Sequence, residues 1–238
     1  PALLAAWASA GPAVRRELTD ALLRRPDRTT ALLDALEARS IAPGEIDAAA
    51  SRRLLNHGDA ALRARAARLF QPTSSRQTAL ARYQAALKQP GDSQRGREVF
   101  RSQCATCHSV AGVGVRVGPD ISDTRTKTPE MLLNDILNPN AAIDANYVSY
   151  TVATRDGKVL TGLIDSETAT SLTLRRAENQ TEVLLKPEIE EVRSSGQSLM
   201  PEALEQTITV DQMADLLAFL KNWRYLDGGV PLSDSAKP

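Results

Sequence analysis

Cysteine is almost missing from this chain of 238 residues. There are two, Cys104 and Cys107, and both fall inside "CATCHSV". Histidine is equally scarce, with His57 and His108 as the complete set. A four-ligand zinc site would therefore need every cysteine and histidine in the chain, one of them far upstream. Charge of one sign is lacking too, since 29 basic residues balance 29 acidic ones. A general nucleic-acid binder would carry a basic excess, so nucleic acid is not an expected partner. No apolar run approaches the length of a membrane span, and no transmembrane segment is expected. The opening "PALLAAWASAGPAVRREL" has no charged stretch ahead of an apolar one, so it does not read as a signal peptide. It also lacks an initiator methionine, and is expected to belong to a mature form or a piece of a longer chain. The length suits one large domain or two small ones, ample for a buried core.

Three textures follow one another. Residues 1–88 are rich in alanine, leucine and arginine, with apolar residues at helical spacing and breaks at "AGP", "RPDR", "APGE" and "NHGD". "GPAVRRELTDALL" and "DAALRARAARLF" look like one helix used twice, with Val14 and Leu62 in equivalent places at the offset of a HEAT-type pair. Such pairs bury a face only by stacking, so a continuation upstream is expected; a generic helical bundle is the other reading. A connecting helix at about 74–88 and the linker "KQPGDSQRG" lead into a second domain, 89–238. There Asp92 can cap "SQRGREVFRSQCATCH". A glycine-rich loop, "VAGVGVRVGPDI", precedes "TPEMLLNDILNP", which has proline in its first turn and Asn-Pro as its stop. From Tyr147 the pattern alternates in "YVSYTVAT", "KVLTGLI", "SLTLRR" and "TEVLLK", and Asp156-Gly157 signals a hairpin. A small antiparallel sheet or barrel is expected at about 147–193. The last helix, "TVDQMADLLAFLKNW", opens with Thr209 and Gln212 at capping-box spacing.

Four chemistries could use "CATCHSV". A thioredoxin-like dithiol sits at a helix N-terminus after a strand, whereas these cysteines end a helix with no strand before them. Zinc is short of ligands, and His57 reads as an exposed turn residue, a distant candidate for any iron. A disulfide would leave His108 without a purpose. Covalent haem uses all three: the two thiols add across the porphyrin vinyl groups as thioethers, and the adjacent histidine becomes the proximal iron ligand. Haem is the reading taken here. It requires a helix pair to bury the macrocycle. Gly96 and Phe100, four apart, share a face on which glycine permits close approach and phenylalanine supplies an aromatic contact. Their expected partner is the last helix, through Leu216, Phe219 and Leu220. The histidine needs an acceptor for its other ring nitrogen, and the Pro119 carbonyl in "VGPDI" is the candidate. For the sixth ligand there are three methionines. Met131 and Met213 read as core filler within helices, while Met200 lies in a loop, "SGQSLMPEAL", biased toward extension by Pro201. Met200 is the expected distal ligand.

"GREVFRSQCATCHSV", "GVRVGPDI", "SLMP" and "MADLLAFLKN" occur in the order of a class I cytochrome c, which this chain resembles. The fuller pattern, with "LLNDILNPNAAID", "YVSYTVATRDGKVLTGLI" and "SLMPEAL", is similar to the haem-binding domain of planctomycete and verrucomicrobial proteins, often found behind a sugar-dehydrogenase-like propeller and HEAT-like repeats. The resemblance covers about residues 74–226 and is looser before that. It implies a mainly α fold: a HEAT-like helical segment, then a class I cytochrome c domain carrying a small antiparallel β insertion. It also implies one covalent haem c on Cys104 and Cys107, with His108 proximal and Met200 distal.

His/Met ligation leaves no open position for a substrate and raises the reduction potential. The function expected is a mono-haem electron-transfer module without its own substrate turnover, exported or periplasmic. Its partners would be redox proteins: a dehydrogenase domain fused upstream and a membrane-associated acceptor. Two alternatives stand beside it. One is a haem sensor or peroxidase-like site with an open distal position, for which Arg116 and Arg193 are the distal candidates. The other is a structural module in which haem mainly stabilises the fold.

Overall fold

The computed structural model describes residues 2–7, 10–110, 112–124 and 126–228. Its α-helices are α1 (Ala2–Ala5), α2 (Pro12–Leu23), α3 (Pro26–Glu37), α4 (Ala48–Leu55), α5 (Ala60–Leu69), α6 (Ser74–Tyr83), α7 (Ser93–Gln103), α8 (Pro129–Leu137) and α9 (Val210–Asn222). Its strands are β1 (Ser109–Val110), β2 (Val113–Gly114), β3 (Val148–Thr154), β4 (Val159–Glu167), β5 (Ser171–Arg175), β6 (Thr181–Leu185) and β7 (Ile189–Ser198).

The helix starts follow local chemistry. Asp92 accepts from the N–H groups of Gln94 and Arg95 at 2.8 and 2.9 Å. Thr128 accepts from Met131 N–H at 3.3 Å, ahead of Pro129 at the first helical position. Thr209 and Gln212 form the reciprocal capping box, at 2.9 and 3.2 Å. Each arrangement satisfies amide donors that an α-helix leaves unpaired at its first turn.

The chain divides into two compact units, residues 1–72 with 139–201 and residues 73–138 with 202–238. The sequence reading put a boundary near 88 and counted the β segment with the second domain. The compact units divide elsewhere, and the tail 229–238 lies outside the described residues.

In the first unit, α2 packs on α3 and α4, and α5 packs on α3 and α4. Leu18, Leu22, Leu32, Leu33, Leu36, Leu54, Leu62 and Ala66 form their shared core. Val14 does not match Leu62: it is 52% exposed against 8%, because the buried stripe of α2 runs through Arg15, Leu18, Thr19 and Leu22. The same unit holds an antiparallel sheet of order β6-β5-β4-β3-β7. It spans residues 148–198 rather than 147–193, and among the described residues no pairing closes it into a barrel. Val152, Leu160, Leu172, Leu174 and Leu184 form its core. Arg15 ties sheet to helices. It pairs with Glu45 with both side chains buried, donates to the Ala10 carbonyl at 2.7 Å, and lies 5.5 Å from the ring centroids of Trp7 and Tyr150.

In the second unit, α6 belongs with the later helices. Arg76 on α6 donates to the carbonyls of Leu137 (3.1 Å) and Glu202, and pairs with the Glu205 carboxylate. The Tyr83 hydroxyl, fully buried, reaches the carbonyls of Glu205 (3.1 Å) and Ile208. These contacts, across 61 to 129 residues of sequence, draw 73–88 into this unit, where α8 and α9 complete the core through Leu133, Leu137, Met213, Leu216 and Phe219.

Candidate haem site

The site grows from the crossing of α7 and α9. Gly96 lies against the Asp215 carbonyl so closely that a Cβ there would strike backbone. The approach brings Phe100 onto Phe219 with ring centroids 5.5 Å apart, tilted by 42°. Asp215 locks the crossing. Its carboxylate accepts two hydrogen bonds from Arg95, both 2.8 Å, and one from the Asp92 N–H at 2.7 Å. The Arg95 hydrogen bonds, with help from the Asp92 N–H, hold the Asp215 carboxyl below the usual carboxylate range. A depressed carboxyl pKa stabilises the fold above the unfolded-state value and loses that contribution as pH falls through the folded-state value. The crossing should therefore loosen on acidification below about pH 4. Thermal midpoints across that range should fall more steeply for the native protein than for Asp215→Asn, which should start lower at neutral pH. Parallel curves would show that Asp215 does not carry this dependence.

Helix α7 ends at Cys104, and one tight turn follows. The Cys104 carbonyl accepts from the N–H groups of Cys107 (3.1 Å) and His108 (2.8 Å). This turn sets both thiols and the imidazole on successive positions of a single bend. The glycine-rich loop then returns over it: Val117 and Gly118 donate to the Cys107 carbonyl at 3.1 and 2.7 Å. Both cysteines are free thiols, half-buried. Burial, with a smaller contribution from Cys107, pushes the Cys104 thiol up to about 12. That is the reverse of the lowered thiol pKa that a redox dithiol needs. Among the described residues, no group of three or more histidine, cysteine, aspartate or glutamate side chains could hold a metal ion.

The His108 ring fits a haem. Its Nδ1 lies 2.9 Å from the Pro119 carbonyl, and a carbonyl only accepts, so the proton sits on Nδ1. A ring protonated there alone presents a bare lone pair at Nε2, the form that binds a metal. Gly118 leaves room for that ring, since a Cβ there would come within 2.7 Å of Cε1.

The remaining candidates lie where their own elements put them. Met200 is half-buried in the loop after β7, in the first unit, and its N–H donates to Ser198 Oγ at 3.1 Å. Met213 is fully buried on α9, as core filler should be, but Met131 is 55% exposed. The buried stripe of α8 is Leu132, Leu133 and Leu137, which turns Met131 outward. Arg116 and Arg193 are exposed and paired with Asp120 (3.1 Å) and Glu191 (2.7 Å). His57 is partly exposed, its Nδ1 accepting from Asp59 N–H at 3.1 Å. Sequence reasoning missed Asp215 and Gly118. The signal for Asp215 was present: one carboxylate amid the apolar run of "MADLLAFL". Gly118 gave none, because a glycine before proline reads as an ordinary turn.

The family model described as Cytochrome c matches residues 93–224, more than half of the chain. No curated protein matches the chain. The matched stretch runs from α7 to the residues just after α9 and takes in the five-stranded sheet.

Proposed function

The chain belongs to the cytochrome c family, and we propose that it passes single electrons through one haem c held by Cys104, Cys107, His108 and Met200. Family membership brings a covalently attached haem c and redox partner proteins. When bound, the haem supplies an iron that cycles between ferric and ferrous states. The observation that carries the reading is the His108 hydrogen bond to Pro119, because it fixes the tautomer whose Nε2 can ligate iron. Cys104 and Cys107, placed by one turn at the end of α7, would tether the group; Gly96 and Phe100 with α9 would wall it. Met200 is the methionine proposed as sixth ligand. It is carried by a loop rather than a helix face, and a buried thioether of the Met213 kind is committed to packing. Arg116 and Arg193 each face a carboxylate of their own segment, so neither supports a peroxidase-like distal site.

The remaining parts of the reading concern context. Helices α2 to α5, packed as two neighbouring pairs, are read as HEAT-like repeats of the planctomycete and verrucomicrobial type. The donor would be a dehydrogenase module of the same exported protein, and the acceptor a membrane-associated carrier. No helix among the described residues is long and apolar enough to cross a membrane.

Absorption spectra of the oxidised and reduced holoprotein test the ligand set. The native ferric protein should show the weak long-wavelength band of methionine sulfur on iron. Met200→Ala should abolish it and lower the potential, within the roughly 0.8 V range that axial ligands span. A native spectrum without the band would remove Met200 from the iron and move the weight to a haem sensor with an open distal position.

A further inference from the structure

Side chains just beyond the end of α9 grip the loop that carries the histidine's acceptor. Trp223 Nε1–H donates to the Ser122 carbonyl at 3.1 Å, and Arg224 Nη2 donates to the same oxygen at 3.0 Å. The Arg224 guanidinium stacks 4.9 Å from the Trp223 ring centroid, so each donor braces the other. Further along, Thr124 Oγ1–H donates to the Leu220 carbonyl at 2.6 Å. Lys221 Nζ donates to the carbonyls of Thr124 (3.1 Å) and Lys127 (2.8 Å). On the opposite side, Ile121 N–H donates to the Ser109 carbonyl at 3.1 Å, and Asp120 Oδ1 accepts from Ser122 N–H at 2.8 Å. Proline fixes its own φ, so little freedom remains between Pro119 and the pinned Ser122.

We infer that Trp223 and Arg224 are positioning residues for the proximal imidazole: by fixing Ser122 they hold the Pro119 carbonyl on His108 Nδ1 and so set the basicity of the ligand. The inference rests on His108 being the haem ligand. A firm acceptor at Nδ1 pushes electron density toward Nε2 and makes the ring a stronger donor to a metal. A stronger donor favours the more highly charged iron, so the grip lowers the reduction potential. Loosening it should raise the potential. A merely structural loosening, which lets water reach the haem, would act the other way by favouring the ferric charge.

The test uses reduced, diamagnetic holoprotein with labelled histidine, and two substitutions that leave the net charge unchanged. Trp223→Phe removes one donor and keeps an aromatic ring; Arg224→Lys keeps the charge and loses the fork. Each should speed exchange of the His108 Nδ1 proton with solvent by about tenfold, the equivalent of one ordinary hydrogen bond, and raise the midpoint potential. Asn222→Ala, which removes only a bond to the Ala218 carbonyl, should change neither. Unchanged exchange and potential in both variants would overturn the inference, as would faster exchange with a lowered potential. The unsubstituted protein supplies the separate check: without upfield ring-current shifts on the His108 protons, the ligation itself fails.

Discussion

Alanine at both 104 and 107 should yield a protein with no covalently bound haem, even from a host that attaches haem to the native chain. Each thioether would form by addition of a thiol S–H across a vinyl C=C, with sulfur on one carbon, the hydrogen on the other and no net change of oxidation state. With both thiols gone there is no other cysteine to substitute for them. Acidic organic extraction should then strip all haem from the variant and none from the native protein. The single variants should keep one bond each, with a ferrous spectrum displaced toward longer wavelength by the remaining vinyl group. Haem that survives extraction in the double variant would remove these residues from attachment.

Gly96→Ala should be a costly single-methyl change at the crossing of α7 and α9. Helix propensity favours the substitution by about 1 kcal/mol. Against this, overpacking typically costs about 1–3 kcal/mol, and at Gly96 the obstacle is the Asp215 carbonyl, with the Phe219 Cβ at 2.7 Å. Neither is the mobile end of a side chain, so α7 and α9 must separate, disturbing the Phe100–Phe219 contact and the Arg95–Asp215 lock together. The net loss should be about 2 kcal/mol or more, read from denaturant unfolding of the holoprotein. Gly58→Ala is the control. Nothing lies within 4 Å of a Cβ there, and its effect should be small. Equal stability of the two variants would mean that the helix crossing tolerates a wider spacing.

Much of this arrangement was legible along the chain because it is local. The caps at Asp92, Thr128 and Thr209 are hydrogen bonds over two or three residues, and the Cys104–His108 turn is set by bonds within five. The hairpin at Asp156-Gly157 needs only a positive φ, 87° at Gly157. The reach of Arg76 to Glu205 is different: 129 residues separate the pair, and no local pattern marks which carboxylate an arginine will find. That pairing decides which unit α6 joins, so the expected boundary near 88 lacked the information to be placed. The phase of a helix is also weakly specified by a short apolar run. "MLLNDIL" fits two faces, and only the packed neighbours turn Leu132 and Leu133 inward while leaving Met131 outside.

The alternation of the chain between its two units has a temporal side. Whether synthesised or threaded across a membrane from the N-terminus, α2 to α5 appear well before β3 and β7, the strands that complete their unit. At roughly 5–20 residues per second, the face that carries Arg15 waits several seconds for Tyr150. The second unit waits likewise. Its "CATCH" turn stays open to solvent until α9 arrives to dock on α7, and the Cys104 thiol, half-buried at the end, is then at its most open. With haem attached at Cys104 and Cys107 as proposed, bonding would precede closure, and the late helix would latch a group already in place.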